Sequence, residues 1–260
     1  MEIRVSVKDK VVLVTGAARG IGRAVSERLL TAGAKIIWAD IDVSGISVDS
    51  KGSSAVVKCD VSRPDDVAAA VESAVATFGR IDGLVNNAGI IKAGDFLDYS
   101  LDDFDRVLGV NLRGSFMVGQ AVARQMVKQV TAGGAPGAIV NMSSINSVVA
   151  IPNQTGYCVS KGGLAQLNRV MALALAPHRI RVNAVGPGSI MTDILASTMK
   201  DPSAKNKILI RTPIGRVGEA DEVASVVEFL LSDASSYVTG ETIFCDGGRL
   251  AQNYALTLPQ

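Results

Sequence analysis

Seven short runs rich in Val and Ile recur along the 260 residues, with segments of helical period between them. The runs are 10–15 (KVVLVT), 35–39 (KIIWA), 55–59 (AVVKC), 82–86 (DGLVN), 137–142 (GAIVNM), 180–184 (IRVNA) and 242–246 (TIFCD). Helical segments near 20–32, 65–78, 101–129, 156–175 and 219–231 fill the gaps. This alternation is the mark of βαβ units on a parallel sheet. It predicts an α/β fold, one domain on a doubly wound, seven-stranded parallel sheet with helices on both faces. The connection over 41–54 carries two glycines and five serines. It barely exceeds the roughly dozen residues that a crossover needs, so its helix is one turn or absent.

Composition narrows the function classes. A net charge of +1 with 20% charged residues lacks the basic excess that neutralises a phosphate backbone, so no nucleic-acid partner is expected. Cys59, Cys158 and Cys245 form no CxxC pair and predict packed, reduced thiols with no metal site. His178, the single histidine, lies in "APHRIRV" and reads as a surface turn residue, and no GxSxG elbow accompanies it, which argues against a Ser-His-Asp hydrolase. The opening "MEIRVSVKDK" is charged, and no apolar stretch is long enough to span a bilayer, so a soluble, cytoplasmic protein with no membrane partner is expected.

"VVLVTGAARGIGRAV" places Gly16, Gly20 and Gly22 where the first strand ends and a helix begins. Glycines there let a dinucleotide pyrophosphate approach the backbone, and the helix start offers free N–H groups. The next strand ends in Asp40, whose carboxylate suits a ribose diol and would repel a 2′-phosphate, so NAD is expected over NADP. Arg19 and Lys35 are the nearby cations that argue the other way.

Tyr157 and Lys161 stand four apart in "YCVSK", thirteen residues beyond the Ser144 of "IVNMSS". On a helix they share a face. Taken alone, such a pair is worth only about 0.5 kcal/mol on a surface. A cation about 4 Å from the phenol at an effective dielectric near 20 contributes roughly 4 kcal/mol, or about three pKa units. That predicts a phenol lowered toward the working pH.

Six motifs in order, "TGAARGIG" (15–22), "CDV" (59–61), "NNAG" (86–89), "NLRG" (111–114), Tyr157-x-x-x-Lys161 and "PGSIMT" (187–192), resemble the short-chain dehydrogenase/reductases over essentially the whole chain. The resemblance implies a Rossmann-type fold and a catalytic set of Asn111, Ser144, Tyr157 and Lys161. It implies cofactor contacts from Gly16, Arg19, Gly20, Ile21, Gly22, Asp40, Asp60, Val61, Asn87, Ala88 and Gly89. Tyr157, Lys161, Pro187, Gly188, Ile190 and Thr192 complete them on the nicotinamide side. The expected reaction interconverts a secondary alcohol and its carbonyl, with Tyr157 exchanging the hydroxyl proton and Ser144 bonding the same oxygen.

A lid over 189–213 is expected to cover a small-molecule substrate, with Ile190, Met191, Ile194, Leu195 and Met199 at helical spacing. Asn146 and Asn153, with Met191 and Leu195, are the candidate substrate contacts, and Gln154 lies beside them. These amides lean toward a polyol, sugar or small polar alcohol. A reductase of 3-oxoacyl thioesters using NADPH, and a catalytically silent cofactor-binding scaffold, are the alternatives. The segment "GLAQLNRVMALALA" is apolar on more than one face, which suits either deep burial or a two-fold contact with a second copy. A homo-oligomer, tetramer or dimer, follows from the second.

Overall fold

The computed structural model describes residues 5–47, 52–192, 195–196 and 199–253. Every expected strand is present: β1 (Val11–Thr15), β2 (Lys35–Asp40), β3 (Ser54–Lys58), β4 (Gly83–Asn86), β5 (Ala138–Met142), β6 (Arg181–Pro187) and β9 (Thr242–Cys245). They form one seven-stranded sheet in the order β3-β2-β1-β4-β5-β6-β9, with every pairing parallel. Two further strands, β7 (Ile190–Met191) and β8 (Gly218–Glu219), make a separate parallel pair. Two residues per strand are too short to leave a periodic signal.

The helices are α1 (Gly20–Thr31), α2 (Pro64–Phe78), α3 (Leu101–Leu108), α4 (Ser115–Thr131), α5 (Thr155–Leu175), α6 (Pro202–Leu209) and α7 (Ala220–Leu231). Alternate residues of β1 point to opposite sides. Val12 and Val14 pack with Val25 and Leu29 of α1 and Val223 and Val227 of α7. Val11 and Leu13 pack with Val67 and Ala70 of α2, and with Val118, Val122 and Met126 of α4. Both faces of the sheet are thereby covered, which is why its strands read as continuous apolar runs. The residues described between β2 and β3 contain no helix, as the short connection requires.

The segment read as one helix over 101–129 is two. A π turn over Gly109–Gly114 separates α3 from α4. A Cβ on Gly114 would stand 2.9 Å from Val61 Cγ2, so glycine permits the turn to press against the loop after β3. One extra residue in a turn shifts the apolar stripe too little for periodicity to expose it.

A line of buried amides crosses the sheet. Asn86 Nδ2 donates to Ser115 O (2.7 Å) and Asn141 Oδ1 (3.3 Å), Asn141 Nδ2 to Asn168 Oδ1 (3.0 Å), and Asn168 Nδ2 to Glu241 O (3.3 Å). Asn183 Oδ1 continues it by accepting from Glu241 N at 3.2 Å. Asn141 and Asn168 are fully buried, so each bond avoids an orphaned polar group. No helix among the described residues is long and apolar enough to cross a membrane. Asn168→Leu strands Asn141 Nδ2 and is expected to cost about 1–3 kcal/mol, a fall of several degrees in Tm for a chain of this size. An unchanged thermal melt would remove that role.

Candidate active site

β1 and β4 are neighbours whose connections leave in opposite directions, which opens a crevice at their carboxyl ends. The glycine turn lies there. Gly16 and Gly20 have φ of +64° and +55°, a region in which only glycine is unstrained. Thr15 Oγ1 accepts from Asn87 N (3.0 Å) and Ala88 N (3.1 Å), and Asn87 Nδ2 donates back to the carbonyls of Thr15 and Gly16, both at 3.0 Å. A Cβ on Gly22 would run into the Gly16 carbonyl and the Asn87 amide. The turn after β1 is thus clamped to the turn after β4, and no side chain caps α1, whose first N–H groups are left for a ligand. Ile21 is half-buried and packs against the core behind the turn, while Arg19 is exposed.

Asp40 closes the turn on its adenosine side. Its Oδ2 accepts from Ala18 N (2.9 Å) and its Oδ1 from Asp42 N (3.1 Å), so the carboxylate is fixed beside the glycine turn. Asp42 lies in the field of Arg19 and Lys58, although its carboxyl is held below the usual range chiefly by the Ser44 hydroxyl. Asp60 is held low in the same way by Ser62, which donates from Oγ at 2.6 Å and from N at 2.9 Å. Val61 is buried in the core beside it.

Ser144 follows β5, and Tyr157 and Lys161 lie on the first turns of α5. The Ser144 hydroxyl lies near enough to the Tyr157 phenol to favour its phenolate. Lys161 Nζ stands 5.6 Å from the Tyr157 ring centre and donates to Met142 O at 2.6 Å. Asn111 sits in the π turn, where its side chain spans Ile90 (Oδ1 from N, 2.8 Å; Nδ2 to O, 2.9 Å) and reaches Ser160 Oγ at 3.0 Å. Ser160, which the sequence reading passed over, thereby ties the Tyr–Lys helix to Asn111, and its hydroxyl donates to Tyr157 O at 2.7 Å.

One expectation changes. The phenol was expected near the working pH, yet burial holds Tyr157 above its ordinary value, offset only in part by Ser144. The same burial pushes Lys161 down to about 8. Removing both groups from water penalises the phenolate and the ammonium alike. Lys161 also spends a hydrogen bond on Met142.

On the nicotinamide side, Pro187 ends β6, and Gly188 lies so close to Asp246 that a Cβ would come within 2.8 Å of Asp246 Cα. Thr192 faces Gly20 across the crevice, its Cγ2 3.6 Å from where a Gly20 Cβ would be. Gly89 packs beside Asn111, and Ile190 turns its side chain into the core, which leaves its backbone for any ligand contact. Ser143 Oγ is buried with no partner, the kind of orphan that a polar ligand satisfies. Glycine turn, fixed carboxylate, facing threonine and orphaned hydroxyl together fit a dinucleotide.

The loops over 90–97 and 145–154 hold one another at the mouth of the crevice, since Gly94 N donates to Asn153 O at 3.0 Å. The Asn153 side chain is exposed. Asn146 is buried, and its Nδ2 donates to Gln154 Oε1 (3.3 Å) and Cys158 Sγ (3.6 Å). Met191, Leu195 and Met199 are half-buried, α6 forms the later part of the segment expected to act as a lid, and Ile194 lies outside the described residues.

Comparison with known proteins agrees with this geometry. A family model described as enoyl-(acyl carrier protein) reductase matches residues 16–249. An L-rhamnose 1-dehydrogenase (NAD(P)(+)) of Azotobacter vinelandii is 39% identical over 92% of this chain and 96% of its own length. A 3-oxoacyl-(acyl-carrier-protein) reductase of Thermotoga maritima is 41% identical over 93% of this chain and 98% of its own. A short-chain type dehydrogenase/reductase from Mycobacterium marinum superposes with a TM-score of 0.87 at 34% identity, covering 95% of this chain and 98% of that one. The ordered motifs, the doubly wound sheet and these relatives make the chain a member of the short-chain dehydrogenase/reductase family, an oxidoreductase of alcohol and carbonyl groups.

Proposed function

We propose that the protein is an NAD-dependent dehydrogenase of polyhydroxylated or small polar secondary alcohols, with Tyr157 as its acid–base group. The observation that carries this reading is the buried Lys161, held by Met142 O at 2.6 Å and 5.6 Å from the centre of the Tyr157 ring, with Ser144 on the adjoining strand end. A nicotinamide dinucleotide bound along the glycine turn supplies the hydride acceptor or donor. Gly16, Arg19, Gly20, Ile21 and Gly22 would cradle its phosphates, Asp60 and Val61 would line its adenine side, and Asn87, Ala88 and Gly89 would form the wall beside it. Pro187, Gly188, the Ile190 backbone and Thr192 would hold the nicotinamide end.

Tyr157 takes the hydroxyl proton in the oxidative direction and returns it in reduction. Ser144 donates to the same substrate oxygen as its charge changes. Lys161, beside the ring, would stabilise the phenolate and could reach the ribose hydroxyls of a bound dinucleotide, and Asn111 holds the π turn nearby. Burial raises the phenol in the free protein, so an oxidised nicotinamide held beside it would favour the phenolate that accepts the hydroxyl proton.

Asp40 supports NAD over NADP, since a 2′-phosphate placed on its fixed carboxylate would be repelled. The rhamnose dehydrogenase relative, whose name covers both dinucleotides, supports a sugar or related polyol as substrate. The 41% identity to the oxoacyl reductase favours a second reading, a thioester reductase. Exposed apolar side chains beside the active-site loops, Ile91, Val148 and Val149, would suit an acyl chain.

The second apolar face of α5 is not covered within the monomer: Val159, Val170 and Leu173 are 47%, 54% and 78% exposed. A neighbouring groove of 650 Å³ is lined by Leu108, Leu112, Phe116 and Leu167, with Asp105 and Arg113 among its residues. Opposite charges beside an apolar strip can pair with themselves about a two-fold axis, so we assign this face to a second copy, in a dimer or tetramer.

In a paired screen, sugars and polyols should turn over with NAD, and Tyr157→Phe should lose about 100-fold or more in kcat while still binding NADH. Asp40→Asn should narrow the NAD preference by about tenfold, and turnover of oxoacyl esters with NADPH alone would select the second reading. Lys161→Met should lose turnover, yet at pH 7 it should melt no lower than the parent. A folded-state value near 8 against 10.5 unfolded means that the buried ammonium costs about 3 kcal/mol below pH 8, shrinking as pH rises to 10.5. A stability gap that instead widens above pH 8 would contradict this. Sedimentation should show a dimer or larger species that Leu173→Glu splits; a monomeric parent would remove the interface.

A further inference from the structure

The pairing of Ser144 with Tyr157 depends on two pieces of chain that are held together unevenly. β5 and the body of α5 are pinned twice, by Lys161 Nζ on Met142 O (2.6 Å) and by Asn141 on Asn168 (3.0 Å). Both pins lie beyond Tyr157 along the helix. The first turn, which carries Tyr157, has no side-chain cap at Gln154, and residues 148–150, 152 and 153 before it are exposed. An uncapped first turn is the part of a helix most prone to fray.

One side chain bridges that gap. Asn146 donates its backbone N–H to Ser144 Oγ at 3.1 Å, while its Nδ2 donates to Gln154 Oε1 (3.3 Å) at the helix cap and Cys158 Sγ (3.6 Å) one residue past Tyr157. At 6% exposure its amide is committed to this bridge. The surrounding loop holds its shape through Ser147 Oγ on Ser144 O at 2.7 Å and through the amides of Val148 and Val149 on Ile145 O. The bridge therefore ends on a firm base.

We propose that Asn146 is a positioning residue: its backbone N–H holds the Ser144 hydroxyl while its side chain ties down the first turn of the tyrosine's helix, and together these set how the hydroxyl and the Tyr157 phenol face each other. This rests on the dehydrogenase reading for its kinetic consequence, but its structural consequence does not. Losing the side-chain half of the bridge lets the first turn drift from Ser144 and weakens the serine's influence, which partly offsets burial at the phenol. The titratable groups facing that phenol are Lys161 and Cys158, and the bridge removes neither.

The test compares Asn146→Ala, Gln154→Ala and the double variant with the parent. The phenol of Tyr157, one of four tyrosines, is followed by ultraviolet titration as the difference between each protein and its Tyr157→Phe counterpart. Asn146→Ala is expected to move that titration to higher pH with NADH affinity within about twofold of the parent. It is also expected to lower kcat about 10–100-fold on simple and polyhydroxylated alcohols alike. The double variant should lose less than the sum of the singles, because both residues act through one bond. An unmoved phenol titration overturns the proposal whether or not a substrate has been found. A KM rise confined to polyols with kcat unchanged would make Asn146 a substrate contact instead. A parent that turns over no alcohol, with the titration still displaced, would sink the dehydrogenase reading and leave the positioning role standing.

Discussion

Everything at the reacting centre depends on how α5 is fastened to β5. Ser144 leaves the strand, Tyr157 and Lys161 ride on the helix, and neither piece alone makes a site. The fastening is polar and buried: Lys161 to the Met142 carbonyl, Asn141 to Asn168, and Asn146 to the helix cap. Polar contacts in a dry interior fix register more sharply than apolar packing, because every unsatisfied donor carries a desolvation cost. Asn86, Asn141, Asn168 and Asn183 extend the same device across the sheet, so the strand bearing Ser144 is held from both sides.

The burial that gives this precision has an electrostatic consequence. It raises the phenol and lowers the ammonium, the opposite of what a solvent-exposed Tyr–Lys pair would show. The free protein therefore holds its acid–base group in the protonated form. In the proposed mechanism, an oxidised nicotinamide bound beside the phenol would favour the phenolate before the hydroxyl proton is taken. The cofactor crevice is assembled for that order: Thr15 and Asn87 clamp the glycine turn, Asp40 is fixed by two backbone amides, and Thr192 faces Gly20.

Much of this was legible in the chain. The seven strands were, because burial on both faces makes each one a dense Val/Ile run, and Asp40 was, because it ends such a run just after a glycine turn. The split between α3 and α4 was not, since a π turn adds one residue without disturbing composition. The β7–β8 pair was too short to carry a period. Thr15 and Ser160 looked like ordinary strand and helix residues, and only the bonds they make across the fold distinguish them. The depressed Lys161 was also hidden, because spacing reports that two groups are neighbours but not how little water surrounds them. α5 was apolar on two faces in the sequence, and the structure shows why: one face meets the sheet and α4, and the other is left uncovered in the monomer.

The central claim is that Tyr157 is the proton-transfer group and that it becomes competent only when the cofactor binds. The most direct measurement is the ultraviolet titration of the Tyr157 phenol with and without saturating NAD⁺, assigned by subtraction of Tyr157→Phe. Bound NAD⁺ is expected to lower the phenol by about one pKa unit or more, through the cationic ring and the neighbouring Lys161. A phenol that titrates at the same pH in both states would contradict it.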